Sequence, residues 1–188
     1  MINWSLLANA MLFYKNKGYN HIEVPWITQN VINMITTDDE LNLVKLAGTV
    51  SSLVGSAEQS FLAMQFNGNL PKGRYVACTP CFRYGVLDDF HQQYFMKIEL
   101  YQTDDTDTDA MHSMIQNAEE FFSSVYPDAK NNLKRVATSQ GIDIELNGIE
   151  IGSYGNRSFS SHKWLYGTGL ALPRFSQAAR NIQKTTGQ

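Results

Sequence analysis

Arg83, His91, Phe95 and Glu99 are the residues of this chain whose types and spacing suit chemistry. They stand in Cys81-Phe82-Arg83-Tyr84-Gly85 and, after a short polar loop, His91-Gln92-Gln93-Tyr94-Phe95-Met96-Lys97-Ile98-Glu99. On an extended strand, residues of one parity share a face. Phe95, Lys97, Glu99 and Tyr101 therefore point one way, and Met96, Ile98 and Leu100 the other. The second set is a core face. The first is a row of aromatic and charged groups, of the kind a strand displays where something binds. An Arg and a His supply cations for phosphate oxygens and an exposed Phe supplies a ring face for a base, so the pattern suits a nucleotide.

A second place with chemical potential is Ile142-Asp143-Ile144-Glu145-Leu146-Asn147-Gly148-Ile149-Glu150-Ile151. Asn-Gly between alternating runs is a strong hairpin signal. A two-residue turn pairs Leu146 with Ile149, Glu145 with Glu150, and Ile144 with Ile151. Two carboxylates then oppose each other, which is unfavourable unless a cation lies between them. A bound Mg²⁺ would relieve the repulsion; two solvated acids splayed apart on an edge would also satisfy it, and hairpin geometry leaves both open. Two other patterns read as structure. Cys78-Thr79-Pro80-Cys81 has metal or redox spacing, but no second Cys pair or matching His cluster completes a zinc site, and the pair falls inside a predicted strand at 75–82. The acid-rich run from Asp104 to Asp109 lacks the Gly and distal Glu of a calcium loop and reads as a lead-in to a helix.

The elements that must position these groups are legible in outline. Leu7, Ala10, Met11 and Tyr14 recur at helical spacing and Gly18 is placed to end that helix. A strand is predicted at 21–24, helical segments at 29–35 and 59–65, the two strands about the Arg83 loop, a helix at 111–125 and another at 128–139. Pro173 opens a last helix.

Phe82-Arg83, His91, Phe95 and Glu99 resemble the second signature motif of class II aminoacyl-tRNA synthetases. Three further stretches follow that family's order. Lys17-Gly18-Tyr19-Asn20-His21-Ile22-Glu23-Val24-Pro25 is similar to motif 1, and Gly55-Ser56-Ala57-Glu58-Gln59 to the loop that grips the amino group. Tyr166-Gly167-Thr168-Gly169-Leu170-Ala171-Leu172-Pro173-Arg174-Phe175 is similar to motif 3. The resemblance spans roughly residues 4 to 183, and one departure stands out: the family's acid two residues after the Arg is here Gly85, with Asp88 and Asp89 in the loop as substitutes.

The resemblance implies an α+β fold with a mostly antiparallel sheet flanked by helices, and a ligase that adenylates an amino acid using ATP and Mg²⁺. Arg83 would bridge the amino acid's carboxylate and the α-phosphate. His91 would lie near the γ-phosphate and Phe95 under the adenine. Arg174 would stack on the adenine or hold the γ-phosphate, while Gly167 and Gly169 let the backbone approach the nucleotide. Ser56, Glu58 and Glu99 would receive the substrate's ammonium end, and Glu150, with Glu145 and Ser153, would hold the metal. For Ser153 to reach Glu150's face, Gly152 must permit a bulge. Tyr154 is a candidate for the amino-acid pocket, and Trp164 and Tyr166 read as packing. The family also implies a homodimer across motif 1, with Pro25 and the first helix in the interface. Ser-Ala-Glu, Glu-x-x-Ser and Gly-Thr-Gly-Leu-Ala lean toward the seryl-like branch.

Bulk properties bound the rest. At 188 residues, with 43% hydrophobic and 12% aromatic content, residues 1–188 read as one folded catalytic domain. No run approaches the roughly 18 apolar residues of a membrane span, and the expected compartment is the cytoplasm. A net charge of −3 without a basic stripe argues against unaided grip on a whole tRNA. The acceptor is therefore expected to be a carrier protein, a small molecule, or a modified nucleotide or tRNA end. A non-catalytic binding or regulatory subunit is the alternative that Gly85 raises, and a module working with a separate tRNA-binding partner is a third.

Overall fold

The computed structural model describes residues 2–37, 40–85 and 92–186. In chain order the elements are α1 (Trp4–Asn16), β1 (Asn20–His21), β2 (Ile27–Gln29), α2 (Asn30–Asn33), β3 (Val44–Lys45), β4 (Ser51–Leu53), α3 (Ala57–Phe66), β5 (Arg74–Phe82), β6 (Tyr94–Gln102), α4 (Thr108–Val125), β7 (Leu133–Ala137), β8 (Ile142–Leu146), β9 (Ile149–Phe159), β10 (His162–Leu172) and α5 (Arg174–Thr186). Short 3-10 turns cover Glu40–Asn42 and Pro127–Asn131. Seven strands form one sheet in the order β1-β5-β6-β10-β9-β8-β7, antiparallel at every step except β1 to β5, and β2-β4-β3 form a small second sheet.

Alternation along β6 separates two apolar layers. Met96, Ile98 and Leu100 face α1, α4 and α5, where Leu7, Ala10, Tyr14, Met114, Phe121, Phe122 and Phe175 complete the main core. On the opposite face Tyr101 stacks on Phe61 of α3, with ring centroids 4.8 Å apart, and joins a smaller core with Tyr75, Trp164 and Tyr166. The helices are capped as their sequences dictate. Asn3 accepts from Leu6 N at 3.0 Å, Asp107 accepts from Ala110 N at 2.7 Å, and α1 stops at Gly18 with φ +87°. Asp107 thus gives the acid-rich run its structural use.

Asn147 (φ 54°) and Gly148 (φ 75°) both take the left-handed conformation of a two-residue hairpin turn, and Glu145 pairs with Glu150 as expected. One residue further the ladder slips: Ile144 lies opposite Gly152, not Ile151. Ile151 is the extra residue of a bulge. Two other expectations are corrected. Only Asn20–His21 pairs as a strand before Pro25, and the helix expected at 128–139 is a 3-10 turn followed by β7, an edge strand on β8.

Candidate active site

The register of β6 against β10 lays down one surface. Lys97 lies opposite Ala171, Glu99 opposite Thr168 and Tyr101 opposite Tyr166, and β9 sets Arg157 directly opposite Trp164. Cross-strand partners share a face, so polar groups line up over about 20 Å from Phe95 to Tyr101 at a strand's rise per residue. Phe95, Lys97, Glu99, Tyr166 and Thr168 floor a cavity of about 660 Å³, within the roughly 300–1,000 Å³ usual for small-molecule sites. Its walls are Ser56 and Glu58 at the start of α3, Arg83 after β5, Glu150, Ser153 and Arg157 on β9, and Arg174 at the start of α5.

At the inner end α3 begins. Ser56 caps it, accepting from Glu58 N at 3.2 Å, and its hydroxyl donates to Glu99. Ala57 N donates to the other Glu99 oxygen at 2.8 Å, and Lys97 Nζ lies 3.1 Å from this carboxylate, which is 1% exposed. A buried anion is thus satisfied by a hydroxyl, a helix-terminal amide and an ammonium. Glu58 is 4% exposed and accepts from Trp164 Nε1 at 2.6 Å and from an Arg157 guanidinium N–H at 2.7 Å. Burial pushes the Glu58 carboxyl up; Arg157 and the Trp164 hydrogen bond pull against it. Since both oxygens accept, one from a cation, the geometry favours the ionised form.

At the outer end Arg83 Nε donates to Gly55 O at 3.0 Å, which ties the β5 turn to the Ser56 loop. Its guanidinium lies 5.3 Å from the Phe95 ring centroid. Arg174 sits 3.1 Å from Glu150 Oε1. The bulge at Ile151 changes strand parity, and Glu150 and Ser153 both line the cavity; Glu145 does not. Carboxylate and hydroxyl oxygens are the hard donors that Mg²⁺ takes, so the set fits that ion. Among the described residues no group of three or more His, Cys, Asp or Glu side chains could hold a metal. Further ligands would therefore be phosphate oxygens and water, in keeping with the coordination habits of Mg²⁺.

Arg83, Phe95, Arg174, Ser56, Glu58, Glu99, Glu150 and Ser153 are thus brought to one cavity. His91 lies outside the described residues. Gly167 and Gly169 do not line the cavity. A Cβ on Gly167 would lie 2.6 Å from Met114 Sδ, and one on Gly169 2.7 Å from the Tyr14 ring. Their open faces admit α4 and α1 to the opposite side of the sheet. Tyr154 likewise belongs to the main core, where its hydroxyl donates to Thr168 O at 2.5 Å. Burial pushes the Cys81 thiol up to about 12, the property of an inert core residue.

Sequence reading passed over Arg157 and gave Lys97 and Thr168 no role. The available signal was alternation along β9 from Ser153, which puts Arg157 on the cavity face. Trp164 both packs and donates to Glu58.

The architecture has close structural counterparts. Pyrrolysyl-tRNA synthetase from Desulfitobacterium hafniense superposes with a TM-score of 0.72 at 14% identity, over 94% of this chain and 69% of that one. A second structure of a pyrrolysyl-tRNA synthetase from that organism gives 0.73 at 15%, over 94% and 66%. Seryl-tRNA synthetase from Pyrococcus horikoshii, complexed with ATP, gives 0.67 at 18%, over 92% and 48%. The chain therefore spans between about half and two thirds of the length of these proteins. No protein-family model and no curated protein matches its sequence. With a seven-stranded, mostly antiparallel sheet under flanking helices, the chain has the α+β fold of class II aminoacyl-tRNA synthetase catalytic domains.

Proposed function

We propose that this chain activates an amino acid with ATP. The carboxylate oxygen attacks the α-phosphorus, the bond from that phosphorus to the β-bridging oxygen breaks, and aminoacyl-adenylate and pyrophosphate result. The observation that carries this reading is the span of Arg83. It is anchored on Gly55 between Phe95 at one end of the cavity and Ser56, Glu58 and Glu99 at the other. A guanidinium there can hold the carboxylate and the α-phosphate together and offset their charge, and in such reactions placement and charge neutralisation supply most of the catalysis. Phe95 and Arg174 would bind the nucleotide, with His91 toward the γ-phosphate. Glu99 and Glu58 would orient the ammonium end. Glu150 and Ser153 would hold Mg²⁺, which would supply charge neutralisation on the phosphates; Glu145 pairs with Glu150 across the hairpin but does not line the cavity.

The acyl acceptor belongs to this proposal as a carrier protein, small molecule or tRNA end, and so do the cytoplasm and the homodimer. Among the described residues no helix is long and apolar enough to cross a membrane. Gly85 at the cavity rim favours a second reading, a non-catalytic binding subunit, because it stands where the family has an acid. ATP–pyrophosphate exchange with Mg²⁺ against each of the twenty amino acids decides between them. Exchange with one or a few amino acids, reduced about a hundredfold or more by Arg83→Ala, is the expected result. Absence of exchange in folded protein would favour the binding subunit, a non-standard substrate or a missing partner, and loss of ATP binding as well would mark a dead site rather than an unfed one.

A further inference from the structure

The inner wall of the cavity holds a guanidinium, that of Arg157, to which the proposed adenylation assigns no direct contact with substrate. Arg157 donates to Glu58 at 2.7 Å and to Gln140 Oε1 at 2.9 Å, and its guanidinium lies over Tyr166, 4.3 Å from the ring centroid. Glu58 is itself fixed by Trp164. A fork held on three sides is preorganised. These bonds engage only part of its N–H set, and Arg157 lines the cavity beside Thr168 and Ser153. The charge balance points the same way. Glu58 with Arg157 and Glu99 with Lys97 cancel in pairs, so the ammonium of a bound amino acid adds an unbalanced positive charge at this end. A cationic side chain would double it. An apolar one would leave guanidinium donors facing it unpaired. A side chain ending in acceptor oxygens meets both demands.

We infer that Arg157 is the specificity-determining residue, and that the substrate side chain it selects is a carboxylate, with the isosteric carboxamide second. This rests on the reading of the cavity as an amino-acid-activating site, and the test separates the two. Binding of aspartate, glutamate, asparagine, glutamine, leucine and lysine is measured by calorimetry with Mg²⁺ and a non-hydrolysable ATP analogue, beside pyrophosphate exchange with ATP. An acid is expected to bind at least about a hundredfold more tightly than leucine or lysine, with its amide between them. Arg157→Lys keeps the charge and loses the fork, and should narrow the acid-to-leucine ratio at least tenfold. Arg157→Met should abolish the ratio, with thermal melts reporting whether each variant folds. A merely structural Arg157 would change stability and leave the ratio untouched, which overturns the inference. So does leucine or lysine matching the acids in the unaltered protein. The predicted ranking without exchange sinks the activation reading alone; exchange with another ranking sinks the selection alone; no amino acid binding at all sinks both.

Discussion

Glu58 and Glu99 look alike in sequence, two acids in family positions, yet their surroundings differ. Glu99 is held by Ser56, a helix-terminal amide and Lys97, whereas Glu58 is the only carboxylate shared by Trp164 and Arg157 among the described residues. Removing Glu58 leaves an indole N–H without its acceptor and a partly buried guanidinium without its counter-charge, left with its hydrogen bond to Gln140. Glu58→Ala should cost about 3 kcal/mol, the scale of breaking a buried charge pair. Urea unfolding checks this: a loss below about 1 kcal/mol would mean that Arg157 finds another partner. Both acids were legible because they sit inside recognisable stretches. Arg157 was not, because its partner lies 99 residues away and a lone Arg in a strand carries no local mark of burial. His91 is legible in spacing only.

At the scale of elements, the sequence was most informative where local chemistry and tertiary packing agree. Asn147-Gly148 fixes a hairpin by backbone conformation alone, and the capped helices α1 and α4 carry their own start signals. The segment 128–139 misled because its larger apolar residues, Leu133 and Val136, are three apart, the spacing of one helix face, whereas on a strand they point to opposite sides. What decides is the offer of β8's open edge, where Lys134 pairs with Glu145 and Val136 with Asp143. Gly167 and Gly169 carry a packing role that the sequence does not announce: a glycine-rich stretch reads as room for a ligand, and in β10 the missing Cβ atoms of these two make room for helices. Gly167→Ala should therefore destabilise by about 1–3 kcal/mol through overpacking against Met114 and Tyr154. Its affinity for ATP, measured below the melting transition, should stay within about threefold. A stable variant with ATP affinity lost would return Gly167 to the nucleotide site.

At the scale of the whole molecule, the sheet's two faces are accounted for, one by α1, α4 and α5 and the other by α3, its small core and the cavity, but the region after Pro25 is not. Trp26, Ile27, Val31 and Met34 are 55%, 50%, 71% and 37% exposed within nine residues, and Val50 is brought beside them where its carbonyl accepts from Asn30 N at 2.9 Å. Apolar side chains gathered in this way mark an interaction surface. The resemblance implies a homodimer with Pro25 and the first helix in the interface, and we propose that this patch beside Pro25 belongs to the same contact between two copies. Since a two-fold contact uses the same patch on both partners, one substitution counts twice. Trp26→Asp with Val31→Asp would bring four carboxylates into the contact, and no cation of β2 or α2 stands ready to pair with them. Sedimentation velocity should show the unaltered chain at twice its monomer mass and the double variant as a folded monomer. The small β2-β4-β3 sheet carries the patch, and α2, which follows β2, supplies Asn33, whose carbonyl accepts from Gln59 of the cavity wall at 3.3 Å. The monomer should therefore also lose pyrophosphate exchange. An unaltered chain that is monomeric at tens of micromolar would end the dimer reading. A monomeric variant with full exchange would show instead that the cavity stands complete in one copy.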